Sequence, residues 1–100
     1  MPMNTLRIIK NHVKEWDWDC EELVDCLNNY YYEYLNNTKH VEIANNKMFL
    51  WERGVCSKLT KANLYKEAVK AINDLKSKMS IKRAFEYFNI EDYKEFDYED

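Results

Sequence analysis

Two histidines, His12 and His40, and three cysteines, Cys20, Cys26 and Cys56, are the side chains of this chain best suited to hold a transition metal or to act as nucleophile and base. A zinc site needs its ligands at closing distances such as Cys-x2-Cys, and no such spacing is present. Cys20 and Cys26 stand six positions apart, about 240° round a helix, so they do not face one ion. Buried structural thiols are the reading these positions support. The chain also has no Gly-rich phosphate loop, no nucleophile elbow and no HExxH. A Cys–His pair would have to be assembled by the fold, since no local motif carries one. The expectation is a non-enzymatic protein without metal or cofactor.

The charged residues say more. A net charge of -3 covers three segregated blocks. Residues 15–33 carry Glu15, Asp17, Asp19, Glu21, Glu22, Asp25 and Glu33 and no base, a sum of -7. Residues 53–83 carry nine Lys/Arg against Glu67 and Asp74, a sum of +7, and residues 84–100 sum to -6. Such blocks either cancel within the fold or across a symmetric dimer, or leave a charged face for a partner. An acidic face would compete with nucleic acid for the lysines and arginines of a nucleic-acid-binding protein.

Positioning these groups falls mainly to helices, because one Gly (Gly54) and one Pro (Pro2) leave few breakers. Leu6, Ile9, Val13 and Trp16 give one helical face over Asn4–Trp16, capped by Asn4 or Thr5. A second helix starts at Asp19, with Glu22 as its capping-box partner and Trp18 and Leu23 as the staple, and runs to about Asn36. Cys20, Leu23, Val24, Leu27, Tyr31 and Tyr34 share its apolar face. That wheel divides the tyrosine cluster. Tyr31 and Tyr34 fall in the core, Tyr30 flanks it, and Tyr32 points away beside Glu21, Asp25 and Asn28. The segment Lys39–Arg53 fits a helix, with Val41, Ala44, Met48 and Trp51 aligned. It also fits a hairpin turning at Asn45-Asn46, with Ile43 opposite Met48 and Val41 opposite Leu50. Its Val, Ile, Phe and Trp content favours the hairpin. A third helix over about 61–78 follows Thr60 and buries Leu64, Ala68, Ala71, Ile72, Leu75 and Met79. A fourth begins at Ser80 and uses Ile81, Ala84, Phe85 and Phe88. Trp16, Trp18 and Trp51 are expected in the core. The fold class expected is mainly α, a small bundle of about four helices, α+β only if the one short hairpin at about 39–53 forms. It makes one domain over 1–100, ending in an acidic aromatic tail at about 91–100.

Ser80–Ile90, followed by Glu91–Phe96, locally resembles the helix-turn-helix of DNA-binding regulators and transposases. The matching residues are Ile81, Ala84, Phe88, Ile90 and the turn residue Asn89, where that family usually has Gly. The resemblance covers about 17 residues and implies a scaffold rather than a reader. Its would-be recognition segment carries Glu91, Asp92 and Glu95, which phosphates repel, and no Arg or Asn placed to read bases.

With 46% hydrophobic, 15% aromatic and 33% charged residues, the composition is that of a folded domain, not a disordered chain. The longest uncharged apolar run, Met48–Trp51, is far short of the roughly 20 residues a membrane span needs. With no apolar leader at the start and an odd cysteine count, a cytoplasmic, reduced setting is expected. Eleven Asn and twelve Lys against three Arg mark an AT-rich coding sequence of the kind common in viruses and mobile elements. The function expected is a protein-binding inhibitor of a host defence or nucleic-acid-processing protein, in the host cytoplasm if the gene is viral. Its contact residues would be Glu21, Asp25, Tyr32, Asp92, Tyr93, Glu95, Phe96, Asp97 and Tyr98. The alternative is a nucleic-acid-binding regulator using Lys58, Lys61, Lys66, Lys70, Lys78, Lys82 and Arg83. Self-association as a homodimer fits either reading, and membrane association fits neither.

Overall fold

The computed structural model describes the backbone of residues 5–16 and 20–91 and, within these, the side chains of all but 13–16 and 20. The order is α1 (Thr5–Trp16), α2 (Cys20–Tyr34), β1 (Lys39–Ala44), β2 (Lys47–Glu52), β3 (Val55–Leu59), α3 (Lys61–Lys76) and α4 (Ile81–Tyr87). This corrects the expected fold class. The described residues form an α+β domain, four helices with a three-stranded antiparallel sheet in the order β1-β2-β3, not a bundle with at most one hairpin.

Both turns of the sheet are made by residues that accept positive φ. Asn45 and Asn46, at φ 52 and 62, join β1 to β2. Arg53 and Gly54, at φ 51 and 83, join β2 to β3. Two consecutive left-handed residues make the primed turn whose twist matches antiparallel strands. The β1–β2 register sets Val41 against Leu50 and Ile43 against Met48. The β2–β3 register sets Leu50 against Ser57 and Trp51 against Cys56. The third strand escapes sequence reading because Val55, Cys56, Ser57 and Lys58 are all exposed and only Leu59 is buried. It is held by ladder hydrogen bonds, and so leaves no apolar alternation to read.

One face of the sheet closes the core. Val41 and Leu59 are buried there, and Met48 and Leu50 pack partly against the core cluster. Trp51 and Phe49 alternate to the other face and do not belong to that cluster. Trp51 is therefore not the core residue expected. It stacks on His40 at 6.0 Å between ring centroids and donates its indole N–H to Glu42 Oε1 at 3.0 Å.

The helices meet the sheet through α2, which packs on β1 and on α3, while α1 and α4 flank α3. Among the described side chains of α1 the buried ones are Thr5, Ile8, Ile9 and His12. Of the expected stripe Ile9 is buried and Leu6 half-buried, while the side chains of Val13 and Trp16 lie outside the described residues. A polar residue takes an inner position because it is satisfied there. The Thr5 hydroxyl donates to Asn73 Oδ1 at 3.1 Å and accepts from Lys76 Nζ at 2.7 Å. The third helix buries Leu64, Ala68, Ala71, Ile72 and Leu75, as its period requires, and is capped by the Thr60 hydroxyl accepting from the Asn63 N–H. Ser80 caps α4 in the same way. That helix ends in a Schellman turn. Asn89 sits at φ 59, its N–H donates to Glu86 O, and the Ile90 N–H reaches back to Phe85 O. Ile81, expected inside, is 45% exposed, while Ile90 is fully buried.

Candidate functional site

The tyrosine cluster resolves into a latch with one free member. Tyr31 is fully buried, and Tyr30 is buried too, deeper than its flanking position implied. Their hydroxyls donate across the α2–α3 seam, Tyr31 to Glu67 Oε1 at 2.8 Å and Tyr30 to Asp74 Oδ2 at 2.5 Å. Tyr87 of α4 donates likewise to Glu33 of α2. Burial, and then the carboxylate partner, push all three phenols well above the ordinary tyrosine range. At Glu67 burial opposes ionisation, but hydrogen bonds from Tyr31 and Lys39 and the charges of Lys39 and Lys70 outweigh it and hold the carboxyl low. Lys39 lies 3.2 Å from Glu67 Oε1 and Lys70 lies 3.4 Å from Oε2. These are structural bonds. They use six of the ring and acid groups that might otherwise suggest a site, Tyr30, Tyr31, Tyr87, Glu33, Glu67 and Asp74.

Tyr32 remains, 71% exposed, on the α2 face that also holds Glu21, Asp25 and Asn28. The structure brings Glu21 and Asp25 to the rim of a groove of about 330 Å³ between α2 and β1. Val24, Asn28, Val41 and Ile43 complete its lining, Val24 and Val41 being themselves buried. Among the described residues no cation pairs with Glu21 or Asp25, so the two carboxylates give the groove an acidic rim. Its geometry depends on Asn28. The Asn28 amide Nδ2 donates to Val41 O at 3.0 Å, and its Oδ1 accepts from the Val41 N–H at 2.8 Å. Val41 therefore directs both backbone groups away from β2. Ile43, two residues on, points its own N–H and C=O the same way, into the groove. The groove thus offers two carboxylates, a 38% exposed isoleucine and a backbone donor–acceptor pair. Tyr32 lies farther along the same helix face, about 10 Å from Asp25 at 1.5 Å per residue. Sequence reasoning placed Glu21, Asp25 and Tyr32 on this face. It placed Asn28 there too, but not its bond to β1, and it missed Val41 and Ile43 as groove residues, since these roles exist only once β1 packs beside α2.

The other expected contact residues, Asp92, Tyr93, Glu95, Phe96, Asp97 and Tyr98, lie outside the described residues, as does the helix-turn-helix-like segment beyond Glu91. The basic set is spread over several elements. Lys58 stands on the outer face of the sheet, and Lys82 and Arg83 are exposed on α4. Lys78 pairs with Asp74 at 3.0 Å, and Lys70 with Glu67. Lys61 and Lys66 do come together, with Lys10, around a second groove of about 280 Å³ lined by Leu6, Ala62 and Tyr65.

Among the described residues no group of three His, Cys, Asp or Glu side chains could hold a metal ion, and no helix is long and apolar enough to cross a membrane. Cys26 is buried, accepts from Asn89 Nδ2 at 3.6 Å, and its thiol is pushed up to about 11 by burial with help from Asp25 and Glu22. Cys56 is exposed on β3. Comparison of the chain with protein-family models, with curated proteins and with solved structures finds no match in any of the three.

Proposed function

We propose that this protein is a non-enzymatic binding module whose α2–β1 groove takes an extended, Lys/Arg-bearing segment of a partner protein. The observation that carries this reading is the convergence of Glu21, Asp25 and the unpaired backbone of Ile43 on one groove between α2 and β1. An extended segment would add its backbone to the Ile43 edge, set an apolar side chain over Val24 and Val41, and place basic side chains on the two carboxylates. Tyr32 supplies a rigid aromatic contact beyond the groove. Lysines and arginines held in this way are withheld from nucleic acid, so the module acts as an inhibitor of a protein that uses them there. The test is calorimetric titration with a short synthetic peptide alternating arginine and valine, beside one alternating glutamate and valine. The arginine peptide should bind, more weakly as salt rises, and lose most of its affinity to Glu21→Lys with Asp25→Lys. Equal binding of both peptides, or of neither, rejects the reading.

A second reading rests on Lys10, Lys61 and Lys66 around the α1–α3 groove, a basic surface for nucleic acid. Retardation of duplex or single-stranded DNA at low salt, lost on Lys61→Glu with Lys66→Glu, would favour it.

A further inference from the structure

The two edges of the sheet are treated differently. The β1 edge is covered at Val41 by the Asn28 amide and flanked by α2. The β3 edge has no neighbour among the described residues. Which groups it offers follows from ladder phase. Val41 points outward, so Leu50 points its N–H and C=O at β3 and pairs with Ser57. Ser57 and its alternates Val55 and Leu59 face inward, and Cys56 and Lys58 are left with outward N–H and C=O groups. Unpaired strand groups of this kind are a template for a further strand.

We propose that a second copy of this chain supplies that strand, β3 pairing antiparallel with β3 about a two-fold axis at Ser57 to make a continuous six-stranded sheet. Three features select this occupant and register. Centring on Ser57 sets Cys56 opposite Lys58 of the second copy, and both are outward residues, so the pairing closes hydrogen-bonded rings on each side of the axis. It also sets Val55, 68% exposed, beside Leu59 of the second copy, on the face where Leu59 already borders the core. Finally, it keeps the one charge of the strand away from itself. Centring on Lys58 would oppose two lysines, which is destabilising. Centring on Cys56 would leave Val55 against Ser57 and pair only one outward residue of each strand. The surface is on the opposite edge from the acidic groove, so it stands or falls independently of the reading above.

Light scattering across a concentration series should show mass rising toward twice 12.2 kDa, and Val55→Lys should hold the chain monomeric. Register is read by cross-linking in a Cys20→Ser, Cys56→Ser background. There Ser57→Cys should form an interchain disulfide, since directly opposed residues of a non-hydrogen-bonded pair have Cα atoms roughly 4.5 Å apart. The native Cys56 should not link to its copy, because the two sit diagonally at about 7–8 Å. Monomer mass at the highest concentration overturns the proposal. So does a dimer that survives Val55→Lys, or one in which Ser57→Cys does not cross-link.

Discussion

Asn28 and Val41 are joined by two hydrogen bonds, the side-chain amide of a helix residue meeting both backbone groups of an edge-strand residue at 3.0 and 2.8 Å. The asparagine does for β1 what a neighbouring strand would do, and in the same act fixes how far α2 stands from the sheet. Asn28→Ala leaves a part-buried N–H and C=O without partners and should cost about 1–3 kcal/mol in urea unfolding. Asn28→Asp should cost a similar amount, since it sets an oxygen against Val41 O. In both, exchange of the Val41 amide hydrogen should accelerate more than that of Leu50. Unchanged stability and exchange would remove Asn28 from the account.

The Tyr–carboxylate latch makes stability depend on pH from two sides. Glu67 and Asp74 are held below their ordinary values, so on acidification the unfolded chain binds protons before the folded one. Their contribution is complete above the unfolded carboxylate range near pH 4 and is lost as pH falls through the folded values. Tyr30 and Tyr31 are shifted upward, so their contribution is complete below about pH 10 and is lost as pH rises through the folded values. Urea midpoints should therefore form a plateau between acid and alkaline declines. Glu67→Gln should flatten the acid side and Tyr31→Phe the alkaline side, the latter at a cost of about 1.5–3 kcal/mol near neutrality. Identical profiles for the three proteins would contradict the latch.

The two cysteines described should differ sharply toward a thiol reagent in a Cys20→Ser background. Cys56 is exposed and should react at once, while Cys26 is buried with its thiol raised to about 11. Its reaction should wait on unfolding and speed up in urea. Equal rates in the native protein would show that α2 does not pack as described.

Gly54 carries φ +83, and a Cβ placed there meets nothing within 4 Å. Gly54→Ala should therefore cost only the backbone preference, about 1 kcal/mol, read as a small fall in melting temperature. A much larger loss would contradict the open β2–β3 turn described.

How far the sequence disclosed this arrangement depends on what holds each element. Leu64, Ala68, Ala71, Ile72 and Leu75 declare α3 by period, and Thr60 and Ser80 declare two helix starts, because burial and capping are local rules. The register of Val41 with Leu50 follows from Asn45-Asn46 tolerating positive φ. Strand β3 was not legible, since its stability comes from pairing with β2 and leaves Val55 in solvent. The burial of Thr5 in α1 was not legible either, since the groups that satisfy it, Asn73 and Lys76, stand 68 and 71 residues away. The site divides in the same way. Glu21, Asp25, Asn28 and Tyr32 are found by a helical wheel, whereas Val41 and Ile43 join them only through the Asn28–Val41 contact, thirteen residues apart in sequence.

Backbone and methyl NMR during titration with the arginine–valine peptide tests the groove most directly. The predicted result is saturable shifts confined to Glu21, Val24, Asp25, Asn28, Val41 and Ile43, with protection of the Ile43 amide from exchange, and their loss on Glu21→Lys with Asp25→Lys. Shifts centred on Lys10, Lys61 and Lys66, or on none of the groove residues at saturating peptide, would contradict it.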